Sequence, residues 1–521
     1  MKRKLSILLT LAISLPFFAS CGGGTNSSTT TTTTSTPTTT TSAAATTTTT
    51  ANTTSAPLIT CTYVVPGDTP TDLDTVQQMI NDKLKADGAG VQVAFEYIPW
   101  DAWDSKINLM LSTGEKFDMF EVMNDRVTLS NYASRNALAD ITSLIDQYGD
   151  NIKKYNPEIM MKSCQVGGKQ YAIPAYWVES ALDPQIMIRK DLMKQYGIAE
   201  LPKTFDELTA DFQTVMANWT GAQKPYIPII GAESARFGLN QKSYNEWPYV
   251  VYDKVFYVDQ SGKVQDYFET DAFKQDCAAA RDWYTKGLIN PDVLTVTSDQ
   301  LNNQLQSGDF FVTAGTIGNI VPLQKNYPNL TVDDFAMLDL APDKPYVRPY
   351  GTRNMNAIPL ASEHPESGVK LINWVYANQE NYDLFFYGRE GIDYKKVGDH
   401  NREDIIDPAK NAPLYYFSDW MSGNLNFERP TTQGPTAVND LLFKENTTAV
   451  EGYAAQFTFD ATNVQTEYTD VQTQIKAVIA PIATGVQDYD SNIQSAIDLL
   501  KKAGVDKLIA EFQSQLDASK K

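Results

Sequence analysis

The fold of this chain is decided by one stretch, residues 61–122, which read CTYVVPGDTPTDLDTVQQMINDKLKADGAGVQVAFEYIPWDAWDSKINLMLSTGEKFDMFEV. In this stretch, short runs of apolar residues, or of alternating apolar and polar residues, alternate with segments whose apolar residues recur at helical spacing. The successive segments are Cys61–Val65, Asp72–Asp87, Val91–Tyr97, Asp101–Gly114 and Phe117–Val122. They predict strand, helix, strand, helix and strand, which is typical of an α/β domain with a largely parallel sheet covered by helices.

Downstream segments extend this pattern. Thr204–Glu207 has the spacing of a capping box and predicts a helix start. The runs Val255–Val258 and Val264–Phe268 flank Asp259–Gly262 and predict a hairpin. A calcium loop is the alternative there, but one acid and one glycine supply too few ligands. The tail from Val464 to Leu516 predicts two or three amphipathic helices.

The length of the chain indicates more than one lobe. Of 521 residues, about 465 follow Pro57, which exceeds one compact core. No low-complexity linker divides them, so we expect two lobes that share several crossovers. We assign 57–175 and 350–420 to the first lobe, and 176–349 with the C-terminal helical segment, 421–521, to the second.

The N-terminus indicates export. Three positive charges in residues 1–4 precede an apolar run of fourteen residues, which predicts a signal peptide over residues 1–20. Phe18–Cys21 resembles the lipobox of bacterial lipoproteins, which implies acylation of Cys21 and attachment to the cell membrane; cleavage by the ordinary signal peptidase is the alternative. Nineteen threonines lie between Thr25 and Ala56, so we expect residues 21–56 to be a tether.

Composition excludes several classes of function. The formal charge of −20 disfavours nucleic acid as a partner. With only two histidines, His364 and His400, a multi-histidine metal site and most histidine-assisted nucleophiles lack their residues, so we predict neither a metal, a cofactor nor catalytic residues. The two-carboxylate chemistry of glycosidases is not excluded. With Cys21 acylated, at most one disulfide forms among the remaining cysteines, Cys61, Cys164 and Cys277.

Four strings in order resemble the bacterial extracellular solute-binding proteins, family 1: Gly168–Pro174, Ile188–Leu192, Pro202–Leu208 and Trp283–Ile289. The later strings Phe386–Tyr394, Phe457–Asp460 and Lys502–Lys507 are similar to the lipoproteins whose C-terminal segment is DUF3502. The resemblance implies the two-lobed type II periplasmic-binding-protein fold with a cleft between the lobes. It also implies a monomeric, extracytoplasmic capture subunit that serves the permease subunits of an ABC importer, usually for oligosaccharides.

A sugar offers C–H faces and a rim of hydroxyls, so its site needs flat aromatic rings together with carboxylates, amides and guanidinium groups. A finer resemblance to maltodextrin-binding proteins implies roles for Asp118, Asp125, Arg126 and Glu179. In an open α/β sheet, ligands bind beyond the carboxyl ends of strands, where we expect Asp118–Arg126. The expected crossovers and an aromatic-rich segment add further candidates: Tyr176, Trp177, Tyr350, Arg353, Asn354, Trp420, Arg236 and Trp247.

Other interpretations remain open at this point. Several of these side chains, such as Trp177 and Arg353, could serve lobe packing or brace the hinge instead. A surface-anchored glycosidase would use two of the many carboxylates. A binding protein for peptides or amino acids would set an Asp against an amino group and an Arg against a carboxylate, roles that Asp118 and Arg353 fit. An adhesin or sensor would use the same fold without transport.

Overall fold

The structure is a computed structural model that describes residues 58–177, 185–231, 235–438, 441 and 448–520. The chain divides into two units, residues 1–55 and 56–521, and every described residue belongs to the second unit. The predicted signal peptide, Cys21, the tether and Glu179 lie outside the described residues.

The strands and helices follow one another throughout the described chain. The strands are β1 (Ile59–Pro66), β2 (Val91–Ile98), β3 (Met119–Met123), β4 (Gln165–Val166), β5 (Lys169–Gln170), β6 (Ala172–Pro174), β7 (Ile186–Arg189), β8 (Tyr249–Tyr252), β9 (Phe256–Asp259), β10 (Val264–Asp266), β11 (Val312–Ala314), β12 (Phe335–Leu338), β13 (Val347–Arg348), β14 (Asn354–Ala357), β15 (Tyr394–Val397), β16 (Asn401–Asp404), β17 (Ile406–Asp407), β18 (Ala412–Pro413) and β19 (Val450–Glu451). The helices are α1 (Leu73–Ala86), α2 (Trp100–Thr113), α3 (Leu129–Ser134), α4 (Thr142–Tyr148), α5 (Asp150–Tyr155), α6 (Glu158–Ser163), α7 (Lys190–Gln195), α8 (Phe205–Asn218), α9 (Asp271–Thr285), α10 (Ser298–Ser307), α11 (Val321–Gln324), α12 (Pro365–Val375), α13 (Gln379–Tyr387), α14 (Asp419–Ser422), α15 (Gln465–Gln474), α16 (Ala480–Ala483), α17 (Tyr489–Ala503) and α18 (Val505–Ser519).

The first sheet has the strand order β2-β1-β3-β14-β6. Its first three strands are parallel, as the alternation of strands and helices predicts. In contrast, β14 runs antiparallel to β3 and β6, and the chain returns to this sheet from a distant segment to form it. The predicted helix ends are confirmed for α2, which stops at Gly114 in the left-handed conformation that glycine favours (φ 68°).

A second sheet, β11-β7-β12, is antiparallel throughout. Its core includes Phe212 of α8 and Trp283 of α9, whose rings meet edge to face 5.4 Å apart. The capping box that predicts the start of α8 is confirmed, since the Thr204 hydroxyl accepts the N–H of Glu207 and the Glu207 side chain accepts that of Thr204.

A third sheet, β10-β9-β8, contains the predicted hairpin, with Val264 paired to Val258. It shares one hydrophobic core with the C-terminal helices α15 to α18, which occupy the region where the sequence predicts two or three amphipathic helices. Phe512 of α18 stacks on Phe256 with ring centroids 4.3 Å apart. The end of the chain therefore packs on residues 249–266, which lie some two hundred positions earlier.

The described residues also bear on the remaining features of the sequence. Cys61, Cys164 and Cys277 are buried free thiols. Met421 and Phe427 pack in the cluster on the first sheet, although the sequence assigns 421–521 to the second lobe. Within the described part of the chain, no helix is both long enough and apolar enough to cross a bilayer.

Candidate functional site

A cavity of about 390 Å³ lies where segments of the first, second and third sheets and a C-terminal helix meet. This volume is within the range of about 300 to 1,000 Å³ that small-molecule sites occupy. Its polar and aromatic lining consists of Asn124, Asp125, Arg126, Gln185, Arg236, Phe237, Trp247, Tyr249, Asp253, Lys254, Tyr350, Arg353, Tyr468 and Gln472. We call this space the solute cavity.

Residues 124–126 line the solute cavity directly after β3, at the carboxyl end of that strand. The sequence predicts ligand binding at this edge of the sheet. The backbone N–H of Asn124 donates to the carbonyl of Arg353 at 2.9 Å, which ties this end to the neighbouring crossover. The Arg126 guanidinium donates twice to Asp104, at 2.9 and 3.3 Å. It also lies over the ring of Trp100, 5.4 Å from the centroid, so both contacts fix its direction.

Arg353 enters the solute cavity from the crossover that leads into β14. Its Nε is buried and has no hydrogen-bond acceptor among the described residues. Its nearest ionic partner is Asp125, whose carboxylate lies 4.0 Å from a terminal nitrogen. A buried donor without a partner costs free energy. This guanidinium is therefore suited to donate a hydrogen bond to an oxygen of a bound molecule.

The loop that carries Arg236 is held from behind by Asp276 of α9. The Asp276 carboxylate accepts the N–H groups of Phe237 and Gly238 at 2.6 and 2.8 Å, and the hydroxyl of Tyr244 at 3.3 Å. Burial raises the pKa of Asp276 to about 6, although these donors and the charge of Arg236 act in the opposite direction. Gly238 has a φ of 78°, a conformation that suits glycine at this sharp bend.

Aromatic rings form another wall of the solute cavity. The Trp247 indole N–H donates to the carbonyl of Pro345 at 2.7 Å. The N–H group is therefore occupied, and a ligand would use the apolar face of the ring. Tyr249 meets Trp247 edge to face, with centroids 5.5 Å apart. Tyr350 meets Tyr252 in the same way at 5.7 Å. Rings locked by such contacts offer flat apolar surface at little cost in side-chain entropy.

Asp253 and Lys254 form the turn between β8 and β9, and both have positive φ, 48° and 67°. Burial raises the pKa of Asp253 to about 6, while a hydrogen bond from Tyr468 and the charge of Lys254 favour its ionised form. The carbonyl of Asp253 accepts from Gln472 at 2.8 Å. The turn therefore presents one carboxylate and one ammonium to the solute cavity.

The structure brings six of the predicted site residues together in the lining of the solute cavity: Asp125, Arg126, Arg236, Trp247, Tyr350 and Arg353. Their expected role in ligand binding stays a prediction.

Asp118 lies elsewhere, because β3 begins at Met119 and Asp118 precedes it instead of following it. A strand of five residues spans about 16 Å, so Asp118 sits at the opposite end from residues 124–126. Its carboxylate accepts the N–H of Thr62 at 2.9 Å and the hydroxyl of Ser362 at 2.7 Å. Asp118 is thus a buried structural acceptor.

Four other candidates do not line the solute cavity. Asn354 is buried and pairs with Met123 between β14 and β3. Tyr176 bridges to Asn424, and Trp177, which follows it, is half-buried. Trp420 stacks on Trp100 with centroids 5.9 Å apart, and so reaches the lining only indirectly, through Arg126.

Sequence reasoning misses the turn Asp253–Lys254 and the helix residues Tyr468 and Gln472. Tyr468 stands at core spacing in an amphipathic helix and is 7% exposed, so its pattern indicates packing alone. Tyr468 reaches the cavity only because its helix packs against a distant part of the chain. The residues next to it in the sequence carry no information about that contact. The dipeptide Asn-Gly is the usual sequence signal of a tight turn with positive φ. This turn has Asp-Lys instead, so the sequence does not indicate it.

The solute cavity therefore combines flat rings, forked cations and carboxylates, and both histidines lie outside its lining. Among the described residues, no group of three or more His, Cys, Asp or Glu is arranged to hold a metal ion. This arrangement suits a ligand with apolar faces and many hydroxyls.

Comparisons with known proteins agree with the fold. The family described as bacterial extracellular solute-binding protein matches residues 67–382, and the domain of unknown function DUF3502 matches residues 453–521. A carbohydrate ABC transporter substrate-binding protein of Streptococcus pneumoniae is 24% identical over 461 residues, covering 87% of this chain and 89% of the relative. The diacetylchitobiose binding protein DasA of Streptomyces coelicolor is 30% identical over 167 residues, covering 32% of this chain and 36% of the relative.

Solved structures are similar along most of the chain. The N-glycan transport solute binding protein NgtS of Streptococcus pneumoniae, in complex with Man1GlcNAc, superposes with a TM-score of 0.71 at 20% identity, over 88% of this chain and 99% of that one. FusA from the same species, in complex with kestose, gives 0.61 at 18% identity, over 88% and 99%. The predicted type II periplasmic-binding-protein fold is confirmed.

Proposed function

Because this chain belongs to the bacterial extracellular solute-binding proteins, we propose that it is the capture subunit of an ABC importer and binds an oligosaccharide in the solute cavity. Membership of an extracellular family supports a location outside the cytoplasm. Its relatives are named as substrate-binding proteins and not as enzymes. Capture without chemical change of the ligand is therefore part of the proposal.

One observation carries the proposal: the rings of Trp247 and Tyr350 and the guanidinium of Arg353 meet in one cavity of about 390 Å³. Rings stack on the C–H faces of a pyranose or furanose, whereas forked donors and carboxylates bind its hydroxyls. The lining comes from distant segments, so a ligand would contact both lobes at once. Such a ligand stabilises the closed state, which the importer then recognises.

We propose further that Cys21 carries the lipid anchor and that the protein acts as a monomer beside its permease subunits. The lipobox-like Phe18–Cys21 and the threonine-rich residues after it support the anchor. Two or more acyl chains hold a protein on a bilayer far more durably than one does.

The test is a thermal-shift screen followed by isothermal titration calorimetry, with chitooligosaccharides, N-glycan fragments, fructooligosaccharides and maltodextrins, and with short peptides as the contrasting class. We expect at least one oligosaccharide to raise the melting temperature in a concentration-dependent way, by mass action. A response to peptides alone would contradict the proposal. Chromatography of the sugar after long incubation must return it intact, since cleavage would indicate a glycosidase.

A further inference from the structure

The DUF3502 segment, residues 453–521, contributes directly to the solute cavity. Its helix α15 supplies Tyr468 and Gln472 to the lining. The rest of the segment packs as one core with β8, β9 and β10, as the stacked rings of Phe256 and Phe512 show. The segment is therefore continuous with the cavity wall and is no separate appendage.

Polar contacts fasten α15 to the turn at Asp253 and Lys254. The Gln472 amide donates to the Asp253 carbonyl at 2.8 Å, and the Tyr468 hydroxyl interacts with the Asp253 carboxylate. Both turn residues adopt positive φ, a backbone conformation that costs free energy in a residue such as Lys254 and that surrounding contacts help to maintain. Gln472 and Tyr468 are contacts of this kind.

The same helix touches the side of the solute cavity that belongs to the first sheet. The Ser134 hydroxyl at the end of α3 donates to Gln465 at 2.8 Å. Tyr468 also has a hydrogen-bonding interaction with Thr128, which caps the start of α3. Helix α15 thus contacts both the β8–β9 turn and the segment that follows residues 124–126.

We propose that the DUF3502 segment is a positioning element of the binding site, in which Gln472 and Tyr468 hold the Asp253–Lys254 turn in the geometry that receives the solute. This inference rests on the proposed function for its ligand but makes a separate claim about the turn. Gln472 and Tyr468 are positioning residues, and Asp253 is the group that contacts the ligand.

The ligand-free arm of the test measures amide hydrogen exchange in a peptide that covers residues 249–259. We expect Gln472→Ala to speed exchange there and to leave exchange in α8 unchanged. The matched control is Gln474→Ala, because Gln474 is on the same helix and does not line the solute cavity. Equal exchange in the two variants would overturn the inference, even if no sugar had yet been found.

The ligand-bound arm measures the dissociation constant for whichever oligosaccharide binds the wild-type chain. Loss of one positioning hydrogen bond should weaken binding about five- to tenfold in Gln472→Ala and in Tyr468→Phe. The control for the second variant is Tyr453→Phe, a hydroxyl of the same segment outside the solute cavity. Wild-type binding with affinities of both positioning variants within twofold would refute the inference and leave the proposed function standing.

A pH profile of the affinity separates positioning from a general loss of stability. The groups that face Asp253 are Lys254 on the same turn, Tyr468 from α15 and Tyr350 from the crossover. Burial raises the pKa of both tyrosines further above the ordinary value of 10, so neither phenol ionises near neutral pH. The hydrogen bond from Tyr468 lowers the pKa of Asp253, so Tyr468→Phe should move the midpoint of the profile to higher pH. Tyr453→Phe should not move it, and an unmoved midpoint in Tyr468→Phe would count against the role of its hydroxyl.

Discussion

Replacing Asp276 by alanine should strongly destabilise the fold, because this one carboxyl group accepts the hydrogen bonds of the loop that carries Arg236. The change removes the carboxylate that accepts the part-buried N–H groups of Phe237 and Gly238 at 2.6 and 2.8 Å. At about 1 to 3 kcal/mol for each donor left without a partner, we expect the loss of both bonds to lower the free energy of unfolding by about 2 to 6 kcal/mol. That is a large part of the roughly 5 to 15 kcal/mol typical of folded proteins.

Urea unfolding followed by tryptophan fluorescence measures this loss. The experiment is best done at pH 5, where the folded protein holds Asp276 mostly protonated because its pKa is raised to about 6, so that part of the free-energy cost of burying its charge is avoided. The matched control is Asp282→Ala on the same helix, where an exposed carboxylate pairs with Lys286 at 2.6 Å. That surface pair is worth at most about 0.5 kcal/mol. A loss in Asp276→Ala within about 1 kcal/mol of the control would refute the account of the loop.

Asp276→Asn separates the hydrogen bonds from the charge. The amide keeps an acceptor, so at pH 5 its stability should lie within about 1 kcal/mol of the wild type. At pH 8 the wild-type carboxyl is ionised and buried, whereas the amide is neutral. The variant should therefore gain about 1.4 kcal/mol relative to the wild type between pH 5 and pH 8. A constant difference across that range would show that the buried charge has no effect on stability.

Four further outcomes are expected. Burial raises the pKa of Asp276 to about 6 and of Asp266 to about 7, so the native state binds more protons than the unfolded state, and these two groups alone should lower the free energy of unfolding by roughly 4 kcal/mol from pH 5 to pH 8; a melting temperature that rises over this range would contradict it. Arg353→Gln should weaken oligosaccharide binding about tenfold or more in calorimetry with an unchanged melting temperature of the free protein, since its Nε has no acceptor among the described residues; unaltered affinity would place the ligand elsewhere. Phe512→Ala should cost about 3 to 5 kcal/mol in urea unfolding, because its ring stacks on the third sheet, and a cost below about 1 kcal/mol would contradict that packing. Cys21→Ser should release the protein from the membrane pellet into the soluble fraction, and continued sedimentation would exclude the lipid anchor.

Much of the fold follows from local patterns. The spacing of Val76, Ile80 and Leu84 predicts α1, and all three are buried. The hairpin around Asp259–Gly262 and the helix after Thr204 are equally local, since the chemistry of a turn or a cap lies within a few residues. In contrast, the antiparallel insertion of β14 beside β3 depends on a return of the chain that no window of sequence contains.

The residues of the solute cavity likewise fall into those that local sequence predicts and those that it does not. Asp125 and Arg126 follow a strand, and that position alone indicates a binding edge. Asp118 is placed at the wrong end of β3, because the finer resemblance groups it with Asp125 and Arg126, whereas the strand separates them. Asp253 and Tyr468 could not be predicted, because their place depends on how α15 packs against a hairpin more than two hundred residues away.

The joint core of the β8–β10 sheet and the last helices sets an order for folding during synthesis. Phe256 leaves the ribosome 256 residues before its partner Phe512, an interval of roughly 13 to 50 s at usual translation rates. Throughout that time the aromatic face of the sheet is uncovered and open to chaperones or to aggregation. A chain that lacked α18 would therefore leave the apolar face of this sheet around Phe256 uncovered.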